Sequence, residues 1–418
     1  MEDRIIRHLS QVATPQGETA RRGSEMNELA IYEDAAIWIQ AGKIKAVGPD
    51  AEVCAAMQQQ GVQAQNIDGQ GHCAVPGFVD PHTHFLFAGT RAKEFDDRLA
   101  GVPYLELLQR GGGIVSTMQA TRAASEEELY QLGQQTLMAM LRLGVTTVEG
   151  KSGYGLDAPT ELRLLRTMRR LDHDLPLHVV NTYLGAHAVP PEYKDHADDY
   201  VNFIIAQVLP QVAAGHLAEF VDVFCETGVF TNAQSERIMQ AAQQHGLALK
   251  LHADEMSSTG GAELACRMGA VSADHLLSIS DADIEALAKS QTVAVLLPAT
   301  AFCMRKKYAP ARQMIQAGAA VALASDYNPG SCYTYSVPLI LGLAVIAMQM
   351  TTAEALTAMT LNAAAAVGRA DRIGSIEKGK RADIVLLNAP DYRFLVYKTG
   401  LNLVDKVFCC GNLVYNNL

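Results

Sequence analysis

Long apolar runs are missing from this chain. The most apolar stretch, Val337 to Met350, is too short for a bilayer span and contains Gly342 and Gln349, so no membrane segment is expected. The opening residues, Met1-Glu2-Asp3-Arg4-Ile5-Ile6-Arg7, carry acids and lack the apolar core of a secretory signal. Basic charge is scarce too: 34 lysines and arginines stand against 45 aspartates and glutamates, for a net charge of -11. With no long Lys/Arg cluster, nucleic acid is not expected as a partner, and any anion site must be a local pocket. The eight cysteines include no CxxC, and the vicinal pair Cys409-Cys410 has no partner motif. They read as reduced and mostly buried, in a cytoplasmic protein. No GxGxxG or P-loop follows an early strand. Gly111-Gly112-Gly113 falls in a long connecting loop, away from a strand–helix junction, and is given no phosphate role.

What is present is a large apolar complement: 49% of 418 residues are hydrophobic and 19% charged, which fits a globular enzyme with a sizeable core. A homodimer is expected from the prevalence of twofold assemblies among soluble oligomers.

From about Cys73 to Glu377 short apolar runs alternate with helical segments, the pattern of βα units and a parallel sheet. Eight strands are expected, ending at His84, Glu149, Tyr183, Cys225, His252, His275, Leu297 and Asp326. Ser125 and Glu128 are spaced as a capping box before a helical run from Leu129 to Leu143, and another helix opens at Thr352. Eight units over roughly 300 residues fit a (β/α)8 barrel. Short strands also fill both ends of the chain, from about Leu29 to Ile67 and from Ala382 to Phe408, with a turn at Gly411-Asn412. The expected division is a small β module built from residues 1–73 and 377–418 around a barrel of residues 74–376.

The chemistry is expected where the barrel strands end. Pro76-Gly77-Phe78-Val79-Asp80-Pro81-His82-Thr83-His84 closes an apolar run with two histidines at i and i+2. In an extended strand both imidazoles face one side. A bare HxH is more often a pair of solvated loop histidines, but here three more follow at the same face. His187 comes after the third strand, His252 ends the fifth with Glu255 three residues on, and His275 ends the sixth. Asp326 ends the eighth. Three histidines and an aspartate can close around a divalent ion, which activates water at neutral pH. The other seven histidines, His8, His72, His173, His178, His196, His216 and His245, carry no such pattern.

These residues resemble the metal-site pattern of the amidohydrolase superfamily. The resemblance implies a (β/α)8 TIM-type barrel with a small β-sandwich module formed from both termini. It also implies His82, His84, His252 and Asp326 as ligands of one divalent ion per chain, zinc or iron. Members with two ions bridge them through a modified lysine on the fourth strand. Phe220 to Glu226 contains no lysine, so a mononuclear site is implied. Four stretches are similar to the branch that opens 4-imidazolone-5-propanoate to N-formimidoyl-L-glutamate in histidine degradation: Phe87 to Arg91, Lys151 to Leu156, Leu184 to Tyr193, and Asp326 to Ser331.

That similarity implies that Arg91 holds the propionate carboxylate and that Tyr154 donates to the same end. His187 would polarise the ring carbonyl, and Asn328, Gly330 and Ser331 would contact the carboxylate end. Asp326 and His275 would orient and deprotonate the attacking water, the alternative being His275 as sole base. Glu255 would relay a proton to the ring nitrogen. A deaminase of the cytosine or guanine type would share the metal set and Glu255 but give Arg91 and Tyr154 no purpose. A non-catalytic barrel would not need all four ligands.

Overall fold

The computed structural model describes residues 3–102 and 112–417, so Gly111 lies outside the described residues. The N-terminal strands are β1 (Arg4–Thr14), β2 (Ala30–Gln40), β3 (Lys43–Pro49), β4 (Gln65–Asp68) and β5 (Cys73–Pro76). The barrel strands are β6 (Phe78–Thr83), β7 (Val145–Lys151), β8 (His178–Ala186), β9 (Phe220–Cys225), β10 (Ala248–Ala253), β11 (Ser272–His275), β12 (Val293–Leu296) and β13 (Val321–Leu323). The chain ends with β14 (Ile384–Leu387), β15 (Val404–Cys409) and β16 (Asn412–Asn416).

Both termini share one mixed sheet, ordered β16-β15-β14-β5-β1-β2-β3, with β4 paired to β1. Ile6, Val12, Ile37, Ile384 and Phe408 pack on one face, and Ile5, Trp38 and Val53 in a separate cluster. Two elements escaped the sequence reading. β1 does not alternate cleanly, because its register against β2 shifts between Ile6 and Leu9 and His8 takes φ 55° there; a bulge of this kind breaks the two-residue period. The helix Asp50–Gln59 lay within the stretch read as strands.

β6 to β13 lie in one sheet in strict sequence order, each parallel to the next. Its two edges meet through backbone bonds: His84 N donates to Tyr327 O (2.9 Å) and Asp326 N to His82 O (3.0 Å). Asp80 adds a third tie by accepting from Ser325 N at 3.1 Å. The barrel therefore closes at the residues expected to bind metal. Both predicted helix starts hold, with capping boxes at Ser125/Glu128 and Thr351/Glu354.

Side chains inside the barrel stack in layers, as the two-residue period of each strand requires. Along β10 the inward series is Ala248, Lys250, His252, and along β9 it is Phe220, Asp222, Phe224. The bottom layer is apolar. Val79, Val180, Phe220, Val293, Val295 and Ala322 form one cluster with the alanine-rich helix Leu361–Ala366. The middle layer is charged, and the histidines lie on top.

Candidate active site and metal centre

Five residues expected at the strand ends converge there. His82, His84, His252, His275 and Asp326 are all buried. His82 Nε2 and His84 Nε2 lie 3.5 and 3.6 Å from Asp326 Oδ1. His252 Nε2 lies 3.4 Å from His84 Nε2, and the His275 ring stands 5.2 Å from that of His82 and 5.0 Å from that of His252, centre to centre. The strand ends differ slightly from expectation. β6 stops at Thr83 and β13 at Leu323, because the chain beyond them pairs across the barrel seam. His275 (φ 79°) and Asp326 (φ 53°) both adopt the left-handed backbone region. Such strain in non-glycine residues collects at functional sites.

The donor set fits a cation. His82, His84 and His252 offer three nitrogens within 4.8 Å of one another, and His82, His275 and Asp326 form a second such set. The sets share His82, and Asp326 Oδ1 bridges them, within 3.6 Å of both His82 Nε2 and His84 Nε2. His82 Nε2, His84 Nδ1 and both nitrogens of His275 are buried without a hydrogen-bond partner. Orphaned buried nitrogens are costly unless something accepts their lone pairs. Burial holds the rings of His82, His84 and His275 well below the ordinary histidine range, which keeps them neutral, the form that ligates metal. Burial pushes Asp326 up to about 8, against the bond from Thr300 Oγ1 at 2.7 Å.

Beside this centre lies a polar wall. His187 stacks on His84, with centroids 4.9 Å apart and planes at 14°. Its Nδ1 donates to Gly153 O at 3.1 Å, so the neutral ring presents Nε2 as an acceptor, and burial lowers its pKa to about 3. Tyr154 is buried 5.3 Å from His187 and 5.9 Å from Phe87, centre to centre. Its loop is shaped by Glu161, whose carboxylate accepts from Gly153 N (3.0 Å), Gly155 N (2.7 Å) and Leu156 N (2.9 Å). Gly153 has φ 107°, and a Cβ there would come within 2.7 Å of Leu184 O, so only glycine fits.

Arg91 precedes the helix Ala92–Leu99 and pairs with Glu94, through Nε at 3.0 Å and also Nη2. Its guanidinium lies against Gly330, where a Cβ would collide with Nη1. Asn328 Oδ1 accepts from Gly330 N and Ser331 N, both at 2.8 Å, and its Nδ2 donates to Asp326 O at 2.7 Å and Ser331 Oγ at 2.8 Å. The amide thus builds the loop that faces Arg91. Glu255 reaches the centre through Oε2, 3.6 Å from His275 Nδ1.

Comparison with known proteins agrees with this arrangement. The amidohydrolase family profile matches residues 73–414. The imidazolonepropionase of Parabacteroides distasonis is 52% identical over 412 residues, covering 98% of each chain, and that of Clostridium tetani is 49% identical over 98% of each. The chain belongs to the imidazolonepropionase family of amidohydrolases. Solved structures share the fold: a triazine hydrolase from Arthobacter aurescens superposes with a TM-score of 0.74 at 18% identity, covering 100% of this chain and 95% of that one. A zinc-bound adenosine deaminase from Xanthomonas campestris gives 0.71 at 20% identity, covering 98% and 92%.

In this imidazolonepropionase-family chain the histidines rest on charged residues that sequence reasoning missed. Asp274 Oδ2 lies 2.6 Å from His82 Nδ1, and Asp222 Oδ2 lies 2.9 Å from His252 Nδ1. Glu149, Lys151 and Lys250 complete the buried layer. Glu226, at the end of β9, accepts from Met256 N at 2.8 Å and braces the loop that carries Glu255. Thr300 bonds Asp326 from the helix Pro298–Cys303. Asp274 had one usable signal, its place beside His275 at the end of β11; Asp222, amid the apolar run of β9, had none. The chain is a hydrolase of its family, and among its described residues no helix is long and apolar enough to cross a membrane.

Proposed function

We propose that this protein hydrolyses the ring C–N bond of 4-imidazolone-5-propanoate to N-formimidoyl-L-glutamate, in histidine degradation. The observation that carries the reading is near-full-length identity of about half to imidazolonepropionases. The paired Arg91 at one end of a His/Asp metal centre agrees with it.

One divalent ion, zinc or iron, would be held by His82, His84, His252 and Asp326. When bound it supplies Lewis-acid activation of water and of the carbonyl. One ion is the economical count, since the two donor sets share His82 and β9 offers no lysine to bridge a second. Arg91 binds the propionate carboxylate through the guanidinium N–H groups that Glu94 leaves free, with Tyr154 donating beside it. Gly330 and Ser331 line that end, on the loop that Asn328 holds. His187 lies beside the ring, and its neutral Nε2 accepts from a ring N–H; a pKa of about 3 leaves no proton there with which to polarise the carbonyl. Water, oriented by His275 and Asp326, adds to the ring carbonyl carbon while one of the two takes its proton. The C–N bond then breaks, and Glu255 delivers a proton to the departing nitrogen. Burial raises the Glu255 pKa, the direction that suits a carboxyl acting as a proton donor. We place the protein in the cytoplasm, in keeping with eight unbridged cysteines, and as a homodimer.

Turnover of 4-imidazolone-5-propanoate, followed as loss of the imidazolone absorbance with metal content measured on the same sample, tests this reading. Rapid loss with about one metal per chain supports it; no loss from metal-loaded protein defeats the substrate assignment. Arg91→Met separates it from a deaminase. A charged hydrogen-bonded group is worth roughly 1.5–3 kcal/mol, so KM should rise about 10- to 150-fold. A substrate without a carboxylate would leave KM unchanged.

A further inference from the structure

Lys151 ends β7 inside the barrel with its side chain entirely out of contact with solvent. Burying an ammonium is expensive unless its hydrogen bonds are met. Here three carboxylates surround it. Its Nζ donates to Glu149 Oε1 at 3.0 Å and to Asp222 Oδ2 at 2.7 Å, and stands 3.4 Å from Asp274 Oδ2. Two of its three N–H donors are hydrogen-bonded, and Asp274 stands at ion-pair distance beside them.

Two of those contacts fall on the same oxygens that meet the ligand histidines. Asp222 Oδ2 lies between Lys151 and His252 Nδ1, and Asp274 Oδ2 lies between Lys151 and His82 Nδ1. Asp222 Oδ1 is taken by the His252 backbone N–H at 3.1 Å, which fixes the rotation of that carboxylate. Each carboxylate therefore spans one ammonium and one imidazole as a strut, through a hydrogen bond to His82 Nδ1 and a close ion-pair contact with His252 Nδ1.

Resting on the metal-centre reading above, we infer that Lys151 is a positioning residue that sets the affinity of the site for its ion, by holding Asp222 and Asp274 where they lock His252 and His82. Outer partners of ligand histidines fix their orientation and tautomer, and their loss typically weakens metal binding about 10- to 100-fold. The second buried lysine serves as an internal contrast. Lys250 Nζ donates to Glu149 Oε2 at 2.9 Å and to Pro81 O at 3.4 Å, and lies 5.0 Å from the centre of the Phe220 ring. Its hydrogen bonds reach neither strut.

The test compares Lys151→Met and Lys250→Met in the full-length protein. Zinc affinity is read by competition with a chromophoric chelator, ligand geometry by the visible spectrum of the cobalt-substituted protein, and stability by the melting temperature of the metal-free forms. Both variants should melt lower. Only Lys151→Met should lose zinc affinity, by about 10- to 100-fold, and shift the cobalt bands; Lys250→Met should stay within about threefold of the parent. Equal losses in both, or an unchanged affinity in Lys151→Met, overturn the inference and leave Lys151 as packing charge only. If Lys151→Met does not fold, Lys151→Gln, which can still donate to one strut, should show an intermediate loss, and parental affinity there is equally fatal. A parent protein that binds no zinc or cobalt defeats the metal-centre reading itself.

Discussion

Gly330 has no side chain, yet it positions one. The Arg91 guanidinium is pinned on its other side by Glu94, so it has little room to move away from an added methyl. Overpacking of this kind costs roughly 1–3 kcal/mol. Gly330→Ala should raise KM for the propionate substrate about tenfold, with kcat within about threefold, because Arg91 acts on the end of the substrate away from the reacting bond. A matching loss in kcat would mean that the loop acts on the chemistry instead. Glu255 should behave in the opposite way. General acid–base groups contribute roughly 10²- to 10⁴-fold, so Glu255→Gln should lose that much kcat with KM little altered; steady-state kinetics on the metal-loaded variant decides. At this scale the convergence of His82, His84, His252 and Asp326 was legible because i, i+2 spacing and strand-end position are readable from one sequence. The struts were not. A lysine or aspartate within a strand reads as a solvated face, and only closure of the barrel puts Lys151, Lys250, Asp222 and Asp274 inside it.

At the scale of elements, the eight barrel strands were legible and their ends less so. β7 continues two residues past the expected Glu149 because Lys151 pairs with Thr182 of β8. β1 was lost to its bulge. One contact between elements titrates. His178 opens β8 and stands 3.6 Å from Asp172 Oδ1, in the helix Ala158–Asp174. Its Nε2 lies 3.7 Å from Cys410 Sγ, in the turn between β15 and β16. The Asp172 carboxylate beside it, with a smaller contribution from Cys410, raises its pKa to about 9, above the ordinary value of about 6.5. A raised folded-state pKa stabilises fully below the unfolded value, and the benefit disappears as pH rises through about 9. The side chain is 37% exposed, so solvent screening keeps the effect modest. Melting curves of the parent and His178→Gln should differ most below about pH 6.5 and converge by about pH 10. A gap that does not change with pH would show that His178 acts by packing alone.

For the whole molecule, the metal centre ties together parts that are far apart in the chain. Its proposed ligands come from β6, β10 and the segment after β13, and the seam of the barrel runs between the first and last of them. An ion bound there would cross-link the ring across its closure. The charged layer beneath adds to the demand for a cation, since two lysines face three carboxylates. Without the ion, unpartnered imidazole nitrogens and a carboxyl pushed up to about 8 remain buried together. Chelation should therefore lower the melting temperature of the entire barrel, and added zinc should restore it. The gain should grow with the logarithm of free ion, to about 2.7 kcal/mol at a hundred times Kd. His82→Ala, which removes the residue common to both donor sets, should melt low from the start and respond to neither treatment. Scanning calorimetry across a thousandfold range of free zinc reads this directly. A parent melting temperature that stays constant over that range would mean that the seam is held by its backbone bonds alone, with the histidine cluster contributing nothing to closure through metal.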